Sequence, residues 1–277
     1  MPELPEVETI VNDLIQAGLI GVKIQKAKIY WQRSIAVPKA ASFNRQIAGA
    51  VITNIFRRGK FIVFELAEKG NLLIHLRMSG RIIITFATEP RGKHEHVILT
   101  CDGARNIRLH DPRKFGRIYL VKDANEILGR LGPEPLAQNF KSIDLKQILQ
   151  SHRRQLKPLL LDQRMLAGLG NIYVDEALWE ASIHPLCLSH QLNDPQIKKL
   201  YAAIRRVLRR GLANRGTALG KGAGNFVPAG EVPGKNQHEL RVFRKEGIPC
   251  LRCNEPIIRL VVGQRGTHIC PACQILS

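Results

Sequence analysis

Apolar residues near the start of the chain fall at helical spacing. Val7, Ile10, Val11, Leu14 and Ile15 share one face, polar residues take the other, and Gly18 follows as a stop. The pattern predicts an amphipathic helix over residues 5–17. From about residue 22 to 121 the period shortens. Runs at 23–30, 50–56, 61–66, 72–76, 81–86, 96–100, 106–109 and 117–121 read as strands, punctuated by turns such as Lys69-Gly70-Asn71, Ser79-Gly80 and Cys101-Asp102-Gly103. Many short strands at regular spacing predict a β-sandwich, with the first helix covering one side or end. Gly132-Pro133-Glu134-Pro135 reads as a linker, and beyond it the period is helical again. Helices are expected over 143–150, 157–164 and 172–181, the last after the turn Ala167-Gly168-Leu169-Gly170-Asn171. Asn193-Asp194-Pro195 supplies a cap and a first-turn proline for a long helix to about Gly211. Its apolar face is Ile197, Leu200, Tyr201, Ile204, Val207 and Leu208. Residues 214–236 then hold six glycines (216, 220, 222, 224, 230 and 234) and two prolines (228 and 233). A loop of that length is a functional lid or a disordered segment.

The C-terminal unit carries the most specific spacing. Cys250-x2-Cys253 and Cys270-x2-Cys273 are 16 residues apart, as in a zinc ribbon. Four thiolates around one tetrahedral ion leave no open position, so the zinc is structural. The alternative, two disulfides, does not suit a cytosolic chain. Between the knuckles, 257–262 and 267–270 can pair as a hairpin with the tip Gly263-Gln264-Arg265-Gly266. A braced Arg265 can hold a cation rigidly against a phosphate; it can equally be an ordinary exposed tip. Cys101 and Cys187 read as small buried hydrophobes.

Composition narrows the partners. The 277 residues are 44% hydrophobic, enough for two domains with real cores. No run approaches the ~20 apolar residues of a membrane span, and the acidic start is wrong for a signal peptide. The expectation is a cytoplasmic, monomeric protein with no membrane partner. Forty-two Lys and Arg against 23 Asp and Glu give a net charge of +19, which calls for a polyanion. The basic residues cluster, as at Arg57-Arg58-Gly59-Lys60, Arg113-Lys114, Arg153-Arg154, Arg205-Arg206 and Arg209-Arg210. Nucleic acid fits better than a membrane, because no basic amphipathic helix carries a bulky aromatic face. Aromatics at 5% argue against a single-strand stacking platform.

Met1-Pro2-Glu3-Leu4-Pro5-Glu6-Val7-Glu8 admits two readings. One is a helix start, with Pro5 in the first turn and acids at the positive end of the dipole. The other is a nucleophile. Trimming of Met1 would leave Pro2 as a free secondary amine, partly uncharged near neutral pH because an α-amine titrates near pKa ~8. Such an amine can attack a sugar carbon and form an iminium.

Taken in order, the motifs resemble the formamidopyrimidine-DNA glycosylase family nearly end to end. The carriers are Met1 to Thr9, Arg57-Arg58-Gly59-Lys60, His75-Leu76-Arg77-Met78-Ser79-Gly80 and Asp111-Pro112-Arg113-Lys114-Phe115-Gly116. Leu160-Leu161-Asp162-Gln163, Gly168-Leu169-Gly170-Asn171-Ile172-Tyr173 and the cysteine ribbon complete the set. Leu4 stands where the endonuclease VIII-like relatives usually carry Gly, which favours the purine branch. The resemblance implies an α+β multidomain clamp on double-stranded DNA containing oxidised bases or abasic sites. An N-terminal β-sandwich with flanking helices (1–131) leads through a linker and first helix (132–150) to a helix–two-turn–helix domain with the Gly-rich lesion loop (151–236). A zinc-ribbon finger (237–277) holds one structural zinc on Cys250, Cys253, Cys270 and Cys273. It implies base-excision repair through a Pro2 Schiff base, followed by strand cleavage by β,δ-elimination, and a place at the nucleoid through DNA binding.

Residue by residue, the resemblance makes Glu3 the acid/base on the sugar ring oxygen and gives Glu6 a role positioning sugar or amine. Lys60 would contact phosphate and assist elimination, and Arg265 would grip flanking phosphates and serve the δ-step. Asn171, His94, Arg153 and Lys157 would add phosphate contacts. Met78, Arg113 and Phe115 would fill the hole left by the extruded base, with Arg113 donating to the orphaned partner. Two departures stand out. Gly234-Lys235-Asn236-Gln237 lacks the aromatic pair common before the glutamine, and Lys114 replaces a common Arg. The first bears on lesion preference; the second is milder and loses a bidentate fork. The rivals are a pyrimidine-preferring relative with the same chemistry and a non-catalytic DNA-binding zinc protein.

Overall fold

A computed structural model describes residues 1–219, 229 and 232–276. The chain contacts divide into two units, Met1–Arg130 with Asn214–Lys235, and Leu131–Ala213 with Asn236–Ser277.

The first unit opens on α1 (Leu4–Gln16). Pro5 sits in its first turn, and Glu3 and Glu6 form a capping box in which the Glu3 N–H donates to Glu6 Oε2 at 2.9 Å. Val7, Ile10, Val11 and Leu14 enter the core, as their spacing requires. The core lies between two sheets. One has five strands in the order β2 (Ile35–Val37), β9 (Arg117–Val121), β5 (Gly70–His75), β4 (Phe61–Leu66) and β3 (Ile52–Arg58). The other has β1 (Ile24–Ile29), β7 (Glu95–Cys101), β8 (Arg105–His110) and β6 (Arg81–Phe86). All pairings are antiparallel except β2 with β9. All eight expected strands are present, with ends shifted by up to two residues. The pattern misses β2, α2 (Ala40–Ile47) and the single turn α3 (Asn125–Leu128). In α2 only Phe43 and Ile47 are buried, one i, i+4 pair, too few positions to announce a period.

The second unit holds α4 (Ser142–Gln150), α5 (Leu156–Leu161), α6 (Asn171–Ala181) and α7 (Asp194–Ala213). Asn193 caps α7 as expected: its Oδ1 accepts from the Gln196 N–H at 3.0 Å, and the Asn193 N–H donates to Gln196 Oε1 at 2.9 Å. α5 ends earlier than the expected residue 164, because the Asp162 carboxylate turns the chain by accepting from the Arg164 backbone and from the guanidinium groups of Arg164 and Arg154. α6 and α7 pack closely; a Cβ on Gly211 would lie 2.6 Å from the buried Tyr173 ring. The zinc hairpin is β10 (Ile258–Val262) with β11 (Arg265–Ile269). Gly263 and Gln264 both take positive φ, the two-residue type I′ turn. Val262 pairs with Arg265, so Arg265 opens the second strand instead of sitting in the tip.

Residues flanking the Gly-rich stretch group with the first unit, whereas the sequence grouped the stretch with the helices. Arg215 forms an ion pair with the buried Asp13, and the Thr217 N–H donates to Glu6 Oε1 at 2.8 Å. Residues 220–228, 230 and 231, which hold four of the six glycines of the expected lid, lie outside the described residues. Among the described residues no helix is long and apolar enough to cross a membrane.

Candidate active site and nucleic-acid interface

In the first unit the residues with reactive side chains are buried. Pro2 is covered while Met1 is exposed. Glu3, Glu6 and Lys60 are 2%, 1% and 4% exposed. Glu6 uses both oxygens on backbone amides, those of Glu3 and Thr217, so the helix-start reading of this acid is visible directly. It also ties the start of α1 to the stem of the Gly-rich segment. Lys60 sits in the β3–β4 turn behind Gly59, whose φ of 57° suits the first position of a type II′ hairpin. That turn is fixed to α1 through Arg57, which pairs with Glu8 at 2.6 Å and donates to the Gly59 carbonyl at 3.1 Å.

His75 belongs to this region and was not singled out from the sequence. It ends β5, and its ring meets Phe61 edge-on at 4.7 Å. Its Nδ1 accepts the Arg77 N–H at 3.0 Å. Burial, then the charges of Arg77 and Lys60, pull its pKa down to about 3. The ring is therefore neutral, and with Nδ1 accepting, Nε2 carries the proton. A histidine ending a strand between Lys60 and Arg77 was the available signal.

The expected void-filling residues of the first unit are exposed instead. Met78 and Phe115 are 39% and 44% exposed, and the Arg113 guanidinium lies 4.8 Å over the Phe115 ring. These three side chains come from two loops, after β5 and before β9. His94 is half-buried, edge-on to His110 at 5.7 Å. It lines a basic cavity of about 430 Å³ with Tyr30, Trp31, Arg91, Lys93 and Lys114. Arg91 stacks over Tyr30 at 4.1 Å, and Lys114 Nζ lies 4.3 Å from the centre of Trp31. Sequence reasoning missed this cavity, because its walls come from three separate connections.

In the second unit, Arg153 and Arg265 are exposed and Asn171 is half-buried at the start of α6. Asn171 Nδ2 donates to the Gly266 carbonyl at 2.9 Å, and its Oδ1 has no partner among the described residues. Lys157 corrects an expectation. It is 0% exposed, and its ammonium donates to Asp175 Oδ1 at 2.6 Å, Thr267 Oγ1 at 2.8 Å and the Gly266 carbonyl at 3.2 Å. An ammonium has three protons, and all three are used inside the protein. Lys157 joins α5, α6 and the hairpin that carries Arg265; it is not a surface phosphate contact.

The four cysteines of the ribbon converge. Their sulfurs lie within 4.8 Å of one another, with separations of 3.3 Å for Cys253–Cys270, 3.4 Å for Cys253–Cys273 and 3.9 Å for Cys250–Cys273. Zinc–sulfur bonds of about 2.3 Å place tetrahedral sulfurs roughly 3.8 Å apart, so the set fits one ion. All four are free thiols, which disposes of the disulfide alternative. Trp179 Nε1 and the Arg252 N–H point at Cys250 Sγ from 3.4 and 3.5 Å, as donors to a thiolate do. The site holds one structural zinc on these four ligands. By contrast, burial pushes the Cys101 thiol up to about 11, in keeping with an inert core residue.

Three family models match consecutive parts of the chain. They are the formamidopyrimidine-DNA glycosylase N-terminal domain over residues 1–118, the H2TH domain of the same family over 131–221, and the zinc finger found in FPG and IleRS over 247–275. The formamidopyrimidine-DNA glycosylase of Protochlamydia amoebophila is 47% identical over 274 residues, covering 99% of each chain. Among solved structures, a Lactococcus lactis FPG mutant with Fapy-dG DNA superposes with a TM-score of 0.91 at 34% identity, covering 99% of this chain and 100% of that one. MutM with carbocyclic 8-oxo-G DNA gives 0.89 at 34% identity and the same coverage. With the expected motifs, fold and zinc site on one chain, this protein belongs to the formamidopyrimidine-DNA glycosylase family.

Proposed function

We propose that the chain is a bifunctional DNA glycosylase and abasic-site lyase that removes oxidised purines from double-stranded DNA. The observation that carries the reading is the start of α1. Pro2 and Glu3 are buried there side by side, strapped by Glu6, with the Lys60 turn pinned to the same helix by Glu8 and Arg57. Solved relatives bound to Fapy-dG and 8-oxo-G DNA support the substrate class.

The mechanism follows from those positions. With Met1 removed, the Pro2 nitrogen attacks C1′ of the damaged nucleotide. The bond from C1′ to the base breaks, and the base leaves with a proton. Glu3 protonates the ring oxygen, the sugar opens, and an iminium joins Pro2 to C1′. The iminium withdraws electrons and makes the 2′ proton acidic. Its loss expels the 3′ phosphate, and a second elimination expels the 5′ phosphate. Lys60 and Arg265 hold phosphates through these steps, and Arg153, His94 and Asn171 position the backbone. Met78, Arg113 and Phe115 occupy the space the base vacates. The zinc supplies no reaction chemistry; it fixes the hairpin that presents Arg265. The protein works as a cytoplasmic monomer, held at the nucleoid by its charge.

Borohydride reduction tests the reading. Duplexes with 8-oxoguanine, formamidopyrimidine, dihydrouracil or an abasic site are incubated with the full chain and reduced. A covalent adduct is expected with the two purine lesions and the abasic site, and less with dihydrouracil. No adduct on any substrate overturns the enzyme reading. Preference for dihydrouracil replaces it with the pyrimidine branch. Mass spectrometry of the mature chain should find Pro2 first.

A further inference from the structure

The void-filling side chains come from two separate loops, yet to fill one hole they must act together. A single buried carboxylate touches both loops. Asp111 is 1% exposed and lies in the loop before β9. Its Oδ1 accepts from Ser79 Oγ, the neighbour of Met78 in the other loop, and from the Arg113 N–H at 3.3 Å. Its Oδ2 accepts from the Gly116 N–H at 2.6 Å. Arg113 N–H also reaches Ser79 Oγ at 3.3 Å, closing a ring between the loops. Glycine at 116 suits this approach, since a Cβ would stand 3.2 Å from Asp111 Oδ2 and the carboxylate would have to give by a few tenths of an ångström.

The backbone of Asp111 is fixed as well. Its N–H donates to the His94 carbonyl at 2.8 Å, and its carbonyl lies 2.9 Å from His96 Nε2. The carbonyl also accepts the Lys114 N–H at 3.1 Å, which closes the turn that aims Arg113 and Phe115. Three of these contacts are to backbone amides, so they set where the loops run and not which side chains they carry. A carboxylate suits the task because it only accepts, and every group facing it here can donate. It is also buried beside exposed side chains, so it stays fixed while they work.

We propose that Asp111 is the positioning residue that couples Met78 on one loop to Arg113 and Phe115 on the other, so that they enter a duplex as one unit. This rests on the reading of those three as void fillers. Asp111 does not touch the lesion; it acts through the wedge. Two consequences follow. Loosening Asp111 should matter only while the wedge residues are present. Cutting only its Ser79 arm should affect chiefly Met78, because the Arg113 N–H, on losing Ser79 Oγ, keeps Asp111 Oδ1 as acceptor and the Gly116 N–H keeps Oδ2.

The experiment is a mutant cycle on the full zinc-bound chain, read two ways. One readout is single-turnover excision of 8-oxoguanine. The other is fluorescence of 2-aminopurine in the opposite strand beside the lesion, which rises when neighbouring bases unstack. Asp111→Asn keeps the shape but turns a donor toward groups that donate. It should slow excision about ten-fold and lower the fluorescence rise, as loss of hydrogen bonds to a charged group does. Added to Met78→Ala/Arg113→Ala/Phe115→Ala it should change neither readout by more than about two-fold, because coupled sites are non-additive. The full ten-fold loss on that background overturns the proposal. Ser79→Ala serves if Asp111→Asn lowers the melting temperature too far to compare. It should slow excision more in the Phe115→Ala chain than in the Met78→Ala chain, where the Arg113 N–H still has Asp111 Oδ1, and equal effects in both overturn the proposal. If Met78→Ala/Phe115→Ala alone leaves fluorescence and excision at wild-type levels, the wedge reading fails and Asp111 loses its role with it.

Discussion

The first unit contains two regions of proposed function built on opposite plans. At the start of α1 and in the β3–β4 turn, Pro2, Glu3, Glu6 and Lys60 are buried. At the loops around Asp111, Met78, Arg113 and Phe115 are exposed. The difference matches what each is proposed to do. A nucleophilic amine and its acid need a defined, water-poor setting, where each charge acts at full strength. Side chains that fill a hole in a duplex must project far enough to reach it. Beneath the difference lies one device: a buried carboxylate accepting backbone amides. Glu6 takes those of Glu3 and Thr217, and Asp111 takes those of Arg113 and Gly116. In the second unit Glu176 takes those of Arg241, Val242 and Phe243. In a chain of net charge +19, several of the 23 acids are staples for loops and not partners for surface cations.

The largest expected effect separates the two plans. Glu3→Gln should lower base excision by about 10³-fold, within the span general acid catalysis supplies, while affinity for an abasic-site duplex stays within about three-fold of wild type. Phe115→Ala should do the reverse in kind, with a rate loss of roughly ten-fold and weaker discrimination between lesion and intact duplex. Single-turnover rates and fluorescence anisotropy measure both. If Glu3→Gln chiefly weakens binding, the division between buried chemistry and exposed recognition is wrong.

How far the sequence revealed this layout depended on chain distance. α1, the strands and α7 were legible because their periods are local and long enough to count. The cysteine ribbon was legible because ligand spacing is itself the signal. Lys157 was not: beside Arg153-Arg154 it looked like one more phosphate cation, and nothing local announces Asp175 or Thr267 as its partners. Glu6 likewise gave no hint of Thr217, 211 positions away. The Arg265 register turned on whether the hairpin turn had two residues or four, and Gln264 does not advertise its positive φ. The staples escape a reading by motif because they bind amides, which every residue has.

Lys157 gives the next effect in size, and it tests whether burial alone decides a role. Lys157→Met leaves Asp175 buried without its ammonium, and breaking one side of a buried pair costs about 3–5 kcal/mol. Lys157→Met/Asp175→Asn should recover a good part of that loss, measured by denaturant unfolding. DNA affinity of the double variant should keep the wild-type dependence on salt. A lost phosphate contact would instead lower the salt slope by about 1. A reduced slope with normal stability would return Lys157 to the interface and blur the line between the two plans.

The smallest effect concerns His75, which sits between the two regions, at the end of β5 beside Lys60 and Arg77. Its folded pKa of about 3 lies below the value of 6.5 that an unfolded chain shows. Between those values the unfolded state binds a proton that the folded state refuses. Stability contributed by neutral His75 is therefore complete above about pH 6.5 and declines as pH falls toward 3, by at most about 1.4 kcal/mol per pH step for one proton. His75→Gln can still accept the Arg77 N–H through its amide oxygen but takes up no proton. Its unfolding free energy should thus fall less steeply than wild type between pH 6.5 and 4.5, with the two curves converging in slope above pH 7. Urea unfolding at several pH values measures this. Parallel curves through the acid range would mean that the folded ring accepts its proton readily. The surroundings of His75 beside Lys60 would then be wetter than its burial implies, and the contrast between a dry centre and a wet edge would weaken there.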